Sequence, residues 1–326
     1  MILILSKAIN EYSTDIIVGY LTKMNANFIR INGADLLNSG VYIDIKGNKL
    51  FVNDKIISFD EIKVVFNRRW YDREEFELQN LPDIYNLTDI HQVQEEIRSE
   101  FLTLSQYFKS KFKNAIWIPH RTSVNKLIVL EKAIEFGLLI PDSYICSLRN
   151  QLNKLRKRHP AGIVTKAIGD IFPIQGEKQL LSFLTKEVNE ELISSCAKSF
   201  FPSFFQEKIS KDYEVRVFYW FGKTYSMAIF SQNDKKTEID FRNYNYEKPN
   251  RVCAYNIPKD IEDKIHLLMD DLDLNTGSID LICIGKKYYF LEVNPVGQFG
   301  MVSYPCGYDL HKVIVDELIK LDKDEK

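Results

Sequence analysis

Two neighbouring stretches decide how this chain reads: Gly277-Ser278-Ile279-Asp280-Leu281-Ile282-Cys283-Ile284 and Tyr288-Tyr289-Phe290-Leu291-Glu292-Val293-Asn294-Pro295. Apolar runs on either side of Gly285 read as a β-hairpin. Asp280 and Glu292 interrupt them, and a carboxylate among apolar neighbours is costly unless it meets a partner. Glu292 and Asn294 are two residues apart, so both face one side of a strand. Three oxygen-bearing side chains on one sheet face suit Mg²⁺, which takes few protein carboxylates and fills its octahedron with phosphate and water. Asp280 joins that face only if the Gly285 loop has an odd number of residues or a bulge intervenes. A plain two-residue Gly285-Lys286 turn pairs Asp280 with Leu291 and turns its carboxylate away from Glu292. The competing reading is an acidic strand facing solvent.

Working outward, Asp212-Tyr213-Glu214-Val215-Arg216-Val217 places Glu214 and Arg216 on one strand face. The planar fork of Arg216 suits a phosphate; an ion pair between Glu214 and Arg216 explains the pattern equally well. Lys166 sits in the apolar strand Ile163-Val164-Thr165-Lys166-Ala167, where it needs an anion. Lys126 lies in the first turns of a helix, where solvent exposure is ordinary. Gly297 and Gly300 bracket a flexible loop beside the hairpin, where a substrate can approach. The five histidines have no metal-ligand spacing, and neither a GxSxG elbow nor a GxxxxGK[ST] loop occurs.

Composition narrows the classes further. Of 326 residues, 43 are Lys or Arg and 45 Asp or Glu, a net charge of -2 that argues against a general nucleic-acid binder. The basic stretch Arg149–Arg158 reads as a solvated helix face. Hydrophobic residues at 45% supply a sizeable core, and aromatics at 13% argue against extended disorder. Five widely spaced cysteines without a CxxC pair read as free thiols in a reducing compartment. No run approaches a membrane span, and Met1–Leu5 is too short for a signal-peptide core, so the expected location is cytoplasmic.

The pattern along the chain predicts three parts: an α/β domain over 1–118, a second segment over 119–200 and a strand-rich segment over 201–326. Expected elements in the first are strands Met1–Leu5, Phe28–Ile31 and Lys63–Phe66, a helix capped by Ser13-Thr14-Asp15, and a Val41–Val52 hairpin about Gly47-Asn48. A long helix then carries Ile90, Val93, Ile97, Phe101, Leu104, Phe108 and Phe112 at spacings of three or four. In the second, Thr122 or Ser123 caps a helix closed by Gly137, and Gly162–Ala167 is a strand. The third has a hairpin about Gly222-Lys223, a helix through Ile261, Ile265, Leu268 and Leu272, the Asp280/Glu292 hairpin and a final helix Leu310–Leu321.

Taken in order, these pieces resemble the ATP-grasp superfamily, in which two lysines, an adenine hinge, an acidic-x-Arg strand, an Asp strand and a Glu-x-Asn strand follow one another. The matching positions are Lys126, Lys166, Gln206-Glu207-Lys208-Ile209, Glu214-x-Arg216, Asp280 and Glu292-x-Asn294. The acidic-x-Arg step is commonly Asp-x-Arg, and the lid is poor in glycine, with Gly169 and Gly176 flanking Ile171-Phe172-Pro173. A narrower resemblance is to graspetide maturases, the microviridin-type ω-ester and ω-amide ligases, closest to the grasp-with-spasm subgroup. It rests on Met1–Ser6, Asn67-Arg68-Arg69-Trp70, Asp240-Phe241-Arg242 and Gly297–Cys306.

The resemblance implies an α/β (α+β) ATP-grasp fold with an N-terminal pre-ATP-grasp domain, a central lid and a C-terminal antiparallel-sheet subdomain. It implies ATP and two Mg²⁺ as cofactors, with metal on Asp280, Glu292 and Asn294. Nucleotide would meet Lys126, Lys166, Gln206, Glu207, Lys208, Ile209 and Glu214. Arg216 and Arg242 would stabilise the transferring phosphoryl group, and Asp240 with Arg242 would recognise the peptide. The implied partner is a ribosomally made precursor with a leader and a Thr/Glu-rich core, with no nucleic acid and no membrane; a homo-oligomer stays open. Two other readings remain: a ligase adding amino acids to a protein terminus or small molecule, and a catalytically idle peptide-binding module.

Overall fold

The structure, a computed structural model, describes residues 1–9, 11–38, 40–52, 55–70, 90–169, 174–175, 180–181, 184–243 and 245–324. The chain divides into two compact units, Met1–Thr122 with Asp309–Lys326, and Ser123–Tyr308.

In the first unit, strands Phe28–Asn32, Ile2–Ser6, Val64–Asn67 and Ile116–Ile118 lie side by side in that order, all parallel. Ile2, Leu3, Ile4 and Leu5 are wholly buried, as befits a parallel strand covered on both faces. Helix Ile90–Lys111 carries the predicted apolar stripe; Phe101, Phe108 and Phe112 are buried, and Phe108 packs 5.0 Å from the Trp70 ring. A three-stranded meander adds Lys55–Ser58 to the expected hairpin. The first helix spans Tyr12–Lys23, starting before the expected Ser13-Thr14-Asp15 cap. The final helix, Leu310–Lys323, departs from the expected 201–326 segment. It packs on helix Tyr12–Lys23 and strands Ile2–Ser6 and Val64–Asn67, because its stripe of Leu310, Ile314, Val315 and Leu318 needs an apolar surface to cover it.

The second unit holds two larger sheets. In one, Lys186–Glu187, Ile163–Lys166, Ser199–Glu207 and Ser143–Leu148 are antiparallel neighbours, with helix Arg149–Arg158 beside them. Strand Ser199–Glu207 runs across the boundary expected at residue 200. The short pair Ile174–Gln175 and Leu180–Leu181 is also antiparallel, while Gly176 and Ile171-Phe172-Pro173 lie outside the described residues. The other sheet orders Arg251–Tyr255, Lys223–Phe230, Tyr213–Trp220, Thr276–Ile284 and Lys287–Asn294, all antiparallel. Its hairpin turns at Phe221-Gly222, both at positive φ, as a two-residue turn between twisted strands requires.

One face of that sheet, including Val215, Val217, Ile279, Leu281 and Cys283, packs into a core with Ile265 and Leu268 of helix Lys259–Asp271 and Val129 and Leu130 of helix Lys126–Glu135. The latter helix is capped by Asn125, whose Oδ1 accepts from the Leu127 N–H at 3.0 Å, and not by Thr122 or Ser123. The loop expected around Gly297 and Gly300 contains a short helix, Gly300–Cys306, on the opposite face.

Glycine substitutions separate the tight positions from the open ones. A Cβ at Gly277 would stand 3.1 Å from Val293 Cγ2 and 3.2 Å from the Asn294 carbonyl oxygen, so Gly277→Val is expected to destabilise by about 1–3 kcal/mol. Gly19 lies inside the first helix with nothing within 4 Å of its Cβ position, and Gly19→Ala should stabilise by about 0.5–1 kcal/mol. Urea unfolding of both variants checks the opposite signs.

Candidate active site

The last hairpin resolves the register question in an unexpected combination. Ile284 pairs with Lys287, so the turn is the plain two-residue Gly285-Lys286. The ladder runs regularly to Leu281 opposite Phe290 and then shifts, so that Asp280 stands opposite Glu292. Leu291 is the extra residue of a β-bulge. Before it, Tyr288 and Phe290 face the core; after it, Val293 does, and Glu292 turns to the other face. On the next strand Arg216 pairs with Asp280, and beyond it Met227 pairs with Arg216. Arg216, Asp280 and Glu292 therefore form one row across three strands.

The row is held by charge-assisted contacts. Arg216 Nη1 donates to both Asp280 carboxylate oxygens at 3.1 and 3.2 Å. Lys126 Nζ lies 3.0 Å from Glu292 Oε2 and donates to the Ala167 carbonyl at 3.2 Å. Arg242 Nη1 lies 3.7 Å from Glu292 Oε1, while its Nε and Nη2 donate to Asp240 at 2.8 Å each. Asp240 also accepts from the Thr185 backbone N–H at 3.1 Å. Lys166 stands opposite Phe204 on the neighbouring sheet, its ammonium 5.8 Å from that ring.

These surroundings move the protonation equilibria. Burial drives the Asp280 carboxyl up, Arg216 opposes that, and Glu292 reinforces it. Burial also pushes Glu292 up, but Lys166, Lys126 and Arg242 outweigh it and hold the carboxyl at about 2. Lys166 is pulled down to about 8, chiefly by burial, with Glu292 acting against the shift. Asp240 is raised by burial yet falls to about 2 because Arg242 and backbone N–H groups bind its ionised form.

Four cations thus face three carboxylates, leaving one positive charge in excess. Arg216 Nε is buried with no hydrogen-bond partner among the described residues, a spare donor beside the row. Paired hard oxygen donors, an unspent guanidinium donor and surplus positive charge fit a divalent cation carrying an anionic, phosphate-like ligand.

The remaining predicted positions are placed differently. Glu214 does not pair with Arg216: its carboxylate accepts from Lys211 Nζ at 2.7 Å and Ser231 Oγ at 2.9 Å, and burial raises it. Asn294 shares the Glu292 face, but its Oδ1 accepts from the Val296 and Gly297 N–H groups at 3.1 and 3.4 Å, fixing the turn that follows. In the hinge, Gln206 Nε2 donates to Ser143 Oγ at 2.9 Å, Glu207 Oε2 accepts from the Asp142 N–H at 3.2 Å, and Lys208 Nζ lies 2.8 Å from Glu187. Ile209 follows directly. Lys211 and Thr185 were not anticipated. A lysine three residues before a buried glutamate is the only sequence signal for Lys211; a backbone N–H leaves none for Thr185.

No protein-family model matches the chain. No curated protein sequence matches it either. Solved structures do. The macrocyclase MdnC from Microcystis aeruginosa MRC, bound with precursor peptide MdnA, is 25% identical with a TM-score of 0.79, covering 98% of this chain and 99% of that one. A RiPP-associated ATP-grasp ligase of Chryseobacterium gregarium, in complex with ADP and a leader and core peptide, is 23% identical at a TM-score of 0.77, covering 100% and 97%. D-alanyl-alanine synthetase A from Vibrio cholerae is 13% identical at 0.58, covering 99% and 98%. The fold is that of the ATP-grasp ligases.

The Asp240–Arg242 clamp has a pH signature. The folded pKa of Asp240 lies below its ordinary 3.8, so its stabilisation is present above pH 3.8 and is lost as pH falls toward 2. Because Arg242 is partly exposed, the contribution is about 1–2 kcal/mol after solvent screening. In Asp240→Asn, unfolding free energy measured by urea titration should fall by about that much at pH 6 and change less than the parent between pH 4 and 2.

Proposed function

We propose that this chain is an ATP-dependent, ADP-forming peptide macrocyclase. It joins Asp or Glu side chains of a ribosomal precursor peptide to Ser, Thr or Lys side chains of the same peptide. The observation that carries the reading is the Arg216–Asp280–Glu292 row with Lys126, Lys166 and Arg242 around it, in a chain whose full length matches ligases solved with precursor peptides and ADP.

Asp280 and Glu292 would hold Mg²⁺, with Asn294 adding an oxygen only alongside its role in the turn. Held by these side chains, the metal would supply positive charge that favours phosphoryl transfer. Lys126 and Lys166 neutralise the α- and β-phosphates. Three of the four hinge side chains are engaged elsewhere, so adenine would be read by backbone atoms near Glu207 and Ile209. The peptide carboxylate attacks the γ-phosphate, forming an acyl phosphate and releasing ADP. The peptide hydroxyl or amine then attacks the acyl carbon and expels phosphate, so each link removes one water overall. Arg216, already fixed by Asp280, stabilises charge on the transferring group, and Arg242 assists it. Glu214, locked to Lys211, supports the strand that carries Arg216. The free thiols support a cytoplasmic site of action; no helix among the described residues is long and apolar enough to cross a membrane.

A second reading, ligation of free amino acids, has the likeness to D-alanyl-alanine synthetase in its favour. Incubation of the purified chain with ATP, Mg²⁺ and a Thr/Glu-rich precursor separates the two. ADP and a peptide lighter by whole waters are expected. AMP, or consumption of free amino acids with the peptide unchanged, would contradict the proposal. Glu292→Gln should abolish turnover, and Arg216→Lys should lower kcat/KM about 100-fold.

Lys166 gives an independent check. Its ammonium is held at about 8 in the free chain, and an adjacent phosphate favours the charged form. ATP binding near pH 8.5 should therefore take up protons, seen as a dependence of the calorimetric enthalpy on buffer ionisation. Lys166→Met should remove that uptake.

A further inference from the structure

The row of charges does not end the functional face of its sheet. Met227 stands directly opposite Arg216, Ile229 opposite Glu214, and Val252 opposite Ile229, so these three share the face that carries Asp280 and Glu292. Helix Gly300–Cys306 packs over these outer strands without filling the space beneath it. A cavity of about 320 Å³ remains, lined by Met227, Ile229, Val252, Phe241, Met301 and Tyr304, with Asn250 as a polar member at its edge. Asn250 Oδ1 already accepts from Thr237 Oγ1 at 3.0 Å. The cavity is thus apolar, and its size is at the small end of ligand sites, about 300–1,000 Å³. That is room for one or two side chains and too little for a second nucleotide.

Phe241 ties the cavity to the charged row. It is buried in the cavity wall, while its neighbours Asp240 and Arg242 form the clamp that reaches Glu292. A ligand bound by Arg242 therefore begins at the cavity's edge. Neighbouring strands lie about 4.8 Å apart, so the cavity starts about one strand spacing from the strand of Arg216. An extended peptide advances about 3.3 Å per residue, so a residue one to three positions from a carboxylate held at Arg216 and Arg242 reaches it. At the mouth, Tyr304 is 65% exposed, an aromatic rim open to an incoming chain.

We infer that this cavity is a specificity site for an apolar side chain of the peptide substrate, one to three residues from the carboxylate that is activated. The inference rests on the proposed macrocyclase reading and adds to it the substrate feature that the chain selects. A peptide fits better than a free small molecule, because the cavity and Arg216 lie on one sheet face and the Asp240-Phe241-Arg242 loop joins them, as two subsites of one extended ligand.

The test is a substrate scan. Precursor peptides carrying Leu, Phe, Ala or Asp at each of the three positions on either side of the acceptor carboxylate are turned over by the parent chain, Tyr304→Ala and Met301→Trp. One position is expected to prefer Leu or Phe over Ala by about tenfold, and over Asp by more. Tyr304→Ala should widen that preference toward Phe, and Met301→Trp should narrow it toward Ala. Mg²⁺–ATP affinity, measured by calorimetry, should stay unchanged in both variants, which also shows that they fold. A flat scan with robust turnover overturns the cavity's role and leaves the macrocyclase reading standing, as does a preference that neither variant alters. A concentration-dependent dimer lost in Tyr304→Arg, together with a flat scan, assigns the face to a second copy of the chain and overturns the inference. Absence of turnover with every precursor removes the macrocyclase reading itself, and this inference with it.

Discussion

One inserted residue governs the chemistry of the second unit. Without the bulge at Leu291, the two-residue turn would set Asp280 against Leu291, send the Glu292 carboxylate into the apolar core beside Phe290, and turn Val293 out of that core. A buried carboxylate there would have no cation within reach and would cost several kcal/mol. The bulge lets the outer half of the strand keep Tyr288 and Phe290 in the core and the inner half keep Val293 there, while Glu292 turns to the functional face. Side-chain period two makes any other solution costly, because a one-residue slip reverses a whole strand.

Once Asp280 and Glu292 share a face, their mutual repulsion has to be offset. Each receives its own cation: Arg216 for Asp280, and Lys126 with Arg242 for Glu292. Asp240 in turn holds Arg242 by a two-point contact, and Lys211 removes Glu214 from competition for Arg216. Each pairing narrows the rotamers of the next side chain, so the arrangement is positioned before any ligand arrives. Removal of one member would leave an uncompensated buried charge, which is why such networks resist piecemeal change.

The same face carries two kinds of surface. Charge dominates where Thr276–Ile284 and Lys287–Asn294 meet, and apolar surface dominates toward Lys223–Phe230 and Arg251–Tyr255. The Asp240-Phe241-Arg242 loop spans both, sending its aromatic ring one way and its guanidinium the other. An extended substrate with a carboxylate and a nearby apolar side chain matches that division of the surface.

Local pattern by itself determined much of this protein. Period-two and period-three-to-four spacing located the parallel strands, the helix carrying Phe101 and Phe108, the Tyr213–Phe230 hairpin, whose turn falls at Phe221-Gly222 one residue before the expected Gly222-Lys223, and the carboxylates that break the final hairpin. It also narrowed the position of Asp280 to two registers. Local pattern did not determine which register holds, because the bulge depends on how Phe290 and Val293 both reach the same core. The partner choices were likewise decided in three dimensions: Arg216 turning to Asp280 instead of Glu214, Lys126 crossing to Glu292, and Thr185 donating its backbone N–H to Asp240. The last helix followed the same logic. Its apolar stripe was legible, but which surface it would cover was not, since burial is satisfied by any apolar face of the right shape and only the assembled parallel sheet supplied one.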